Sequence, residues 1–275
     1  MNRIFVTGYK GKLGSLLLKR EGFVAFDCDI TDLTSIKRTY KKLMVRHGDL
    51  LVNCAGMSSI DGCEKDEVNA FAVNVTGLAL LHEVFGEKVL NISTDQVFSG
   101  KWSLFPRTEK SSCDPVNVYG FSKICAEAIS NINGGKTIRL SRTVSIEDTD
   151  IAKYLMRLYK GEEILVPNFF YRNYLTRSQA VDGIEYFARN FDAMPSVVQY
   201  GSKENIAMDK FMQKLATAFG LNSWEKVLSR DYEIEGLTPR PHYGGFSVTL
   251  SHHLGFPKYS IQDVVGGLAK SANVE

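Results

Sequence analysis

A tyrosine and a lysine lie four residues apart in the segment NVYGFSK, at Tyr119 and Lys123. On a helix this spacing places both side chains on one face, one turn apart. A phenol has an unperturbed pKa of about 10, and a nearby ammonium group lowers it by stabilising the phenolate. The pair therefore predicts an acid/base centre in which Lys123 lowers the pKa of Tyr119. The same spacing also occurs by chance, so the surrounding sequence has to show whether the pair is catalytic.

A second chemical signal is the glycine pattern in TGYKGKLG, near the N-terminus. Its spacing, G-x-x-G-x-x-G, is a variant of the dinucleotide-binding fingerprint. The pattern follows an apolar strand and precedes an apolar helix that begins near Lys12, where backbone N–H groups can face a pyrophosphate. An ordinary turn between a strand and a helix is the alternative. The predicted phosphate loop comprises Gly8, Lys10, Gly11, Lys12, Leu13 and Gly14.

Carboxylates follow the second predicted strand in the segment FDCDITD. Asp27 lies nineteen residues beyond Gly8, close to the separation of about 20 expected for a carboxylate that binds the adenosine ribose. Asp32 is better explained as the N-cap of the next helix. A carboxylate at the ribose favours NAD, whereas Lys10 and Lys12 favour the 2′-phosphate of NADP. The sequence therefore predicts NADPH or NADH without choosing between them.

The elements that must position these residues alternate along the first half of the chain. Apolar runs predict strands at 3–8, 23–26, 50–56, 88–93 and 136–142. Helical patterns lie between them at 13–20, 33–47, 67–85 and 117–132, and the helix at 33–47 has an apolar stripe of Ile36, Tyr40, Leu43 and Met44. This alternation predicts an α/β fold, a Rossmann-like doubly wound parallel sheet. Such sheets bind ligands at the carboxyl ends of their strands.

The second half has a looser pattern, with helical segments at 151–160, 177–190, 205–219 and 260–270. We interpret it as a smaller C-terminal α/β substrate domain. The predicted division is a dinucleotide-binding domain at 1–143 and a substrate-binding domain at 144–275. The boundary is soft, because the helix and strand at about 177–200 can return to the main sheet.

Composition excludes several classes of protein. The 275 residues are 44% hydrophobic and 23% charged, as in ordinary globular proteins, and a net charge of +2 argues against nucleic acid as a main partner. The five cysteines form no CxxC pair, which indicates reduced thiols and a cytoplasmic chain. We expect no membrane contact, since there is no apolar signal core and no run of about 18 apolar residues.

Five motifs occur in a specific order: TGYKGKLG, VNCAG, NVTG, STDQVF and YGFSK. In this order they resemble the short-chain dehydrogenase/reductase superfamily in its extended form. Within it, STDQVF, PVNVYGFSK, IDGCE (60–64) and RPHYGGFSVTLSHHLGF (240–256) are similar to motifs of the dTDP-4-dehydrorhamnose reductase group. The resemblance implies NAD(P)H-dependent reduction of the keto group of a nucleotide-linked 4-keto-6-deoxy sugar, in dTDP-rhamnose and polysaccharide biosynthesis. It also implies a homodimer.

The resemblance implies roles for individual residues. Tyr119 would donate a proton, Lys123 would bind the nicotinamide ribose, and Thr94 would hydrogen-bond the substrate carbonyl. Asn74 matches a position that supports the lysine, although a polar residue packing a helix on the sheet explains it equally well. The implied substrate-binding residues are Thr94, Asp95 and Arg240. The implied cofactor-binding residues are Gly8, Lys10, Gly11, Lys12, Leu13, Gly14, Asp27, Asp29, Ile30, Cys54, Ala55, Gly56, Tyr119 and Lys123.

The residue after Asp95 discriminates between reactions. Sugar-nucleotide dehydratases of the superfamily carry a glutamate base there, and this chain has Gln96, which cannot act as a carboxylate base. Dehydration is therefore disfavoured. Epimerases commonly lack the aspartate, so epimerisation ranks below reduction. A nucleotide-sugar epimerase and a non-catalytic dinucleotide-binding regulatory subunit remain as alternatives.

The sequence departs from the group's pattern in two places. The second strand and the DITD segment run together in FDCDITD, and RTVSIEDTDIAKY is poor in aromatic and glycine residues. Arg172, Arg177 and Arg240 are candidates to bind a diphosphate, although solvated surface arginines explain the first two equally well. We predict no metal site, because the adjacent His252 and His253 rarely point into one coordination sphere.

Overall fold

The computed structural model describes residues 3–101, 106–167, 170–222, 224–230 and 238–272. Its central sheet has six parallel strands in the order β2-β1-β3-β4-β5-β9, and β10-β7 and β6-β8 form two small parallel sheets. The strands are β1 (Ile4–Thr7), β2 (Phe23–Ala25), β3 (Leu50–Asn53), β4 (Val89–Thr94), β5 (Lys136–Leu140), β6 (Arg142–Val144), β7 (Ile164–Pro167), β8 (Tyr174–Thr176), β9 (Val197–Tyr200) and β10 (Val227–Arg230).

Helices connect these strands. They are α1 (Gly14–Leu17), α2 (Leu33–Lys42), α3 (Ile60–Lys65), α4 (Glu67–Phe71), α5 (Gly77–Phe85), α6 (Val118–Ile132), α7 (Thr149–Tyr159), α8 (Arg177–Arg189), α9 (Met208–Ala218), α10 (Thr249–His253) and α11 (Ile261–Ala272). A π-helical turn at Ala72–Thr76 joins α4 to α5, and short 3₁₀ turns lie at Asp95–Val97, Phe191–Ala193 and Trp224–Lys226.

The two faces of the central sheet each bury an apolar layer. Successive strand side chains point to opposite faces. Ile4 and Val6 of β1 therefore belong to one core, which includes α8, whereas Phe5 belongs to another, which includes α2 and α5. Helices cover both faces, so the predicted Rossmann-like doubly wound parallel sheet is confirmed.

A third apolar cluster lies within the second half of the chain. It contains buried residues of α7, α9 and α11 together with β7, and Phe211 stacks on Tyr174 at 4.1 Å between ring centroids. β9 pairs with β5 in the central sheet. The division into domains at residue 143 stays a prediction.

The helix predicted at 33–47 ends earlier than expected. Asp32 caps its start, as predicted, by accepting a hydrogen bond from the Thr34 N–H at 2.8 Å. The helix ends at Lys42, and Met44 adopts a φ of 48°. This left-handed turn moves Met44 off the apolar stripe, and the residue is 75% exposed. Its place in the predicted core stripe is therefore wrong.

The continuous helix at 67–85 is the one described segment that is long and apolar enough to cross a membrane, by length and composition alone. The core helix of a globular protein passes the same test. Leu78 and Leu81 are buried in the core beneath the central sheet. Packing against the sheet therefore accounts for the apolar character of this helix.

The helix with Tyr119 and Lys123, α6, is tied to the sheet by a buried ion pair. Arg139 of β5 donates to Glu127 of α6, with an Nη2–Oε2 distance of 2.7 Å and side chains 5% and 9% exposed. The Ser93 hydroxyl on β4 also donates to Glu127. A buried charge is tolerated when it is paired and hydrogen-bonded. These contacts fix α6 relative to the strand ends.

Replacing Arg139 by methionine should destabilise the fold by about 3–5 kcal/mol, because Glu127 would be left as an uncompensated buried charge. The double variant Arg139→Met/Glu127→Gln should regain most of this loss. Urea denaturation measures both free energies of unfolding. The matched control is Arg157→Met, whose partner Glu162 is exposed, and its cost should stay within about 0.5 kcal/mol. Equal losses in the single and double variants would contradict the role of the pair.

Candidate active site

A cavity of about 710 Å³ opens at the carboxyl edge of the central sheet. The loop after β1, the ends of β3, β4 and β5, and the first turns of α6 all line it. Two arginines from the second half, Arg172 and Arg240, complete its wall. The cavity therefore lies where parallel sheets bind ligands.

The predicted catalytic residues lie together in this cavity. Thr94 ends β4, and Tyr119 and Lys123 follow one another on successive turns of α6. The start of α6 approaches the 3₁₀ turn after β4 closely, because a Cβ at Gly120 would lie 2.2 Å from the Gln96 carbonyl oxygen. Asn117 caps the helix by accepting from the Gly120 N–H at 2.8 Å. The glycine in NVYGFSK is thus a packing requirement of the site.

The pKa of Tyr119 is raised above its ordinary value, mainly by burial. A hydrogen bond with the Thr94 side chain acts in the opposite direction, and the charge of Asp95 adds to the rise. The net pKa of Tyr119 is therefore higher than the sequence suggested, because burial and the charge of Asp95 outweigh the hydrogen bond with Thr94. Tyr119 keeps its proton at neutral pH.

Lys123 is itself buried, with 7% of its surface exposed. Burial lowers its pKa from 10.5 to about 8, and the negative charge of Glu127 limits the decrease. Among the described residues that line the cavity, Lys123 is the one cation without an ion pair. Its ammonium group is therefore available to a ligand.

Asn74 lies in the π-helical turn and is 3% exposed. Its side chain accepts from the Met57 N–H at 2.8 Å and donates to the Met57 carbonyl at 3.0 Å and to the Ser122 hydroxyl at 2.9 Å. The π-turn directs the amide to these partners, as such turns often do near functional sites. Asn74 thus joins the loop after β3 to α6 directly beside Lys123.

The glycine loop begins with a residue that only glycine suits well. Gly8 has a φ of 58°, and a Cβ there would lie 2.5 Å from the Ala55 nitrogen. The residues Gly11, Lys12 and Leu13 line the large cavity, as do Cys54, Ala55 and Gly56. Gly14, rather than Lys12, begins the helix; it is buried and lines neither cavity.

A second cavity of about 290 Å³ lies on the other side of the glycine loop. Gly8, Lys10, Asp27, Asp29 and Ile30 line it, and Ala55 lines both cavities. The two cavities thus share Ala55 and divide the residues of the glycine loop between them.

The structure separates the two lysines of the glycine loop. Lys10 lies beside Asp27 in the smaller cavity, whereas Lys12 forms an ion pair with Asp148 at 3.0 Å. Asp29 accepts from the N–H and the hydroxyl of Thr31, which lowers its pKa. The structure thus brings Lys10 and Asp27 to the same cavity and places Lys12 outside it.

The three candidate arginines occupy different environments. Arg172 is 4% exposed and pairs with Asp95, so the surface interpretation is wrong for it. Arg177 pairs with Glu147 and Asp148 and does not line the large cavity.

Arg240 lines the cavity, and its Nη2 lies 2.9 Å from Asp61 Oδ2. Sequence reasoning missed Asp61 as its partner, and it also missed the cavity pair Arg142–Asp150. Arg142 begins β6, two residues after the end of β5, and this position beyond a strand end was the available signal.

Within the described ranges, no group of three or more His, Cys, Asp or Glu side chains could hold a metal ion. His252 is partly buried, and this burial lowers its pKa together with the charge of Lys258. All five cysteines are free thiols.

The parallel sheet, the glycine loop and the ligand cavity at the strand ends define a Rossmann-like α/β protein. The chain belongs to the family whose model is described as the RmlD substrate binding domain, which matches residues 1–166. This confirms the family predicted from the sequence motifs.

Relatives support the same assignment. A dTDP-4-dehydrorhamnose reductase of Mycobacterium tuberculosis (strain CDC 1551 / Oshkosh) is 36% identical over 139 residues, which are 46% of this chain and 44% of the relative. The chain thus spans about half the length of such curated relatives.

Two solved structures share the fold over nearly the whole chain. A dTDP-4-dehydrorhamnose reductase from Bacillus anthracis str. Ames, in complex with NADP, is 22% identical, with a TM-score of 0.83 over 98% of this chain and 100% of that one. The Bordetella bronchiseptica enzyme WbmG, in complex with NAD and UDP, is 18% identical, with a TM-score of 0.79 over 99% and 95% of the two chains.

The depressed pKa of Lys123 predicts a pH-dependent effect of Lys123→Met. Below pH 8 the buried lysine is charged at a cost, so the variant should be more stable by up to about 3 kcal/mol. As the pH rises from about 8 to 10.5, the folded protein loses this proton before the unfolded chain does. The advantage should therefore disappear across that interval.

Urea denaturation across that pH interval measures this difference. The control is Lys41→Met, since Lys41 is exposed on α2 and its replacement should show no such trend. An advantage of Lys123→Met that stays constant with pH would contradict a buried, charged lysine.

Proposed function

We propose that the protein is an NAD(P)H-dependent reductase that acts on the keto group of a nucleotide-linked 4-keto-6-deoxy sugar. The main supporting observation is the single cavity that Thr94, Tyr119 and Lys123 share with the glycine loop. Family membership and the names of the relatives support the same reaction. The nucleotide that fits the relatives is dTDP.

A nicotinamide dinucleotide would supply the hydride when bound. The residues that would hold it line the two cavities, each of which borders part of the glycine loop. Gly8, Lys10 and Asp27 would surround the adenosine ribose, and Gly11 to Leu13 would face the pyrophosphate. Lys123 would hydrogen-bond the nicotinamide ribose with its ammonium group, which forms no ion pair with a described residue.

Thr94 and Tyr119 would act on the substrate carbonyl. The Thr94 hydroxyl would hydrogen-bond the carbonyl oxygen and orient it, and Tyr119 would donate a proton to that oxygen as negative charge develops there. The raised pKa of Tyr119 suits this role, because the phenol remains protonated until the reaction. Lys123 would favour phenolate formation during transfer.

The environment of Gln96 argues against dehydration. Its buried side chain lies between Arg172 and Asn117, and an amide cannot remove a proton as a carboxylate can. The adjacent carboxylate, Asp95, is paired with Arg172. The position next to Thr94 therefore lacks a free base, and reduction needs none.

A nucleotide diphosphate requires cationic side chains beyond the catalytic centre. Arg142 and Arg240 line the cavity and retain 29% and 26% side-chain exposure. Both pair with aspartates, Asp150 and Asp61, which a diphosphate would have to displace. We propose Arg240 as a substrate-binding residue, because it lines the cavity and its side chain is partly exposed there.

The test supplies dTDP-4-keto-6-deoxyhexose, made by upstream enzymes, and follows the oxidation of NADPH and of NADH by absorbance. Tyr119→Phe and Thr94→Val should each lower kcat by a factor of about 10²–10⁴, since each removes a group that acts on the carbonyl oxygen. Tyr159→Phe, at an exposed tyrosine of α7, is the matched control and should retain full activity.

The outcome distinguishes the proposal from the alternatives. A wild-type protein that binds the cofactor tightly but oxidises none of it would indicate a different keto-sugar or a non-catalytic regulatory subunit. Interconversion of sugar epimers without net oxidation of the cofactor would indicate an epimerase.

The two lysines of the glycine loop should differ in their effect on cofactor choice. Lys10→Ala should lower kcat/KM for NADPH about tenfold relative to NADH, because a hydrogen bond from Lys10 to the 2′-phosphate is lost. Lys12→Ala should affect both cofactors equally, since Lys12 pairs with Asp148 outside the smaller cavity. Steady-state kinetics with both cofactors measure the ratio, and an unchanged ratio in Lys10→Ala would place the 2′-position elsewhere.

We further propose that the protein is cytoplasmic, which suits its five free cysteines. A homodimer remains a prediction from the family, and sedimentation analysis tests it.

A further inference from the structure

Arg172 reaches the catalytic centre from the second half of the chain. Its backbone is held by two hydrogen bonds with Ile206, N–O distances of 3.1 and 3.0 Å, just before β8. Its guanidinium group is buried and lines the large cavity. A buried arginine in a ligand cavity requires defined partners.

The guanidinium group has partners on both sides. Nη1 donates to Asp95 Oδ2 at 2.8 Å, and Nη2 donates to the Pro241 carbonyl at 3.0 Å. Pro241 directly follows Arg240, the proposed substrate-binding arginine. Arg172 thus connects the substrate side of the cavity with the turn that follows β4.

The contacts continue from Asp95 to Thr94. The Thr94 hydroxyl donates to Asp95 Oδ1 at 3.2 Å and accepts from the Gln96 N–H at 3.2 Å. A hydroxyl has one proton to donate. The Thr94 hydroxyl also hydrogen-bonds with the Tyr119 side chain, and it must release Asp95 before it can donate to a substrate carbonyl.

A carboxylate that already accepts a charged hydrogen bond from an arginine competes less strongly for a hydroxyl proton. We propose that Arg172 is a positioning residue that acts through Asp95: it weakens Asp95 as an acceptor and so frees the Thr94 hydroxyl for the substrate carbonyl. This inference rests on the proposed reductase function.

Other charged groups face the same centre. Arg142 and Tyr174 lie within the electrostatic range of Asp95. Cys63 of α3 and Lys123 lie near Tyr119 on the other side. None of them replaces the direct contact of Arg172. Among the described residues, Arg172 is the one that forms an ion pair with Asp95.

The split between kcat and KM separates this role from a merely structural one. Arg172 would act on the carbonyl step through Asp95 and Thr94, so its loss should appear in kcat rather than in KM.

The decisive measurement is a double-mutant cycle in the reductase assay. Arg172→Gln should lower kcat by about tenfold or more with little change in KM, and Arg172→Gln/Asp95→Asn should regain about tenfold, because the strong acceptor is gone. The double variant contains no unpaired buried charge and should fold. Arg172→Lys should give an intermediate kcat, since it keeps the charge but loses the two-sided contact.

The control is Arg157→Gln, at a partly exposed arginine of α7 that should leave kcat and KM unchanged. Additive losses in the cycle would overturn the inference while the reductase function stands. A wild-type protein without turnover would overturn the proposed function, and the inference with it.

Discussion

Parallel strands impose one constraint on which the whole site depends. Their carboxyl ends all meet at the same edge of the sheet, whatever the separation of the strands along the chain. The glycine loop after β1, the segment after β3, Thr94 at the end of β4 and Arg142 after β5 therefore line one cavity. Residues that are far apart in sequence become neighbours because the pairing of their strands brings the strand ends together.

The strand ends alone do not position Tyr119 and Lys123, which lie on a helix. That helix is fixed at two levels. Close packing of Gly120 on the Gln96 carbonyl sets its first turn, and the pair of Glu127 with Arg139 anchors its middle to β5. Because both contacts are buried, the tyrosine and the lysine are held by the sheet rather than by solvent-exposed loops.

Most of the positively charged side chains that line the cavity are paired with a carboxylate. Arginines at 142, 172 and 240 each face an aspartate, and Lys123 alone among the described lining cations has no ion pair. Pairing lowers the cost of placing cations in a partly buried site. The arrangement keeps positive charge for the proposed nucleotide-sugar substrate, while one ammonium group stays available beside Tyr119.

The sequence by itself determined the order of the first five strands of the central sheet, the glycine loop and the spacing of Tyr119 and Lys123. These features are local, because periodicity, caps and turns depend on neighbouring residues. Even so, Met44 was placed on the wrong face, because a left-handed turn after Lys42 ended the helix early.

Only the tertiary structure decided the environment of each charge. It buried Arg172 against Asp95 and left Arg177 outside the cavity, and it raised the pKa of Tyr119 where the sequence suggested a decrease. Burial and pairing depend on segments that meet only in the fold, such as 172, 206 and 241. No local pattern encodes those distances, so the sequence named the chemical groups and the fold determined what each of them contacts.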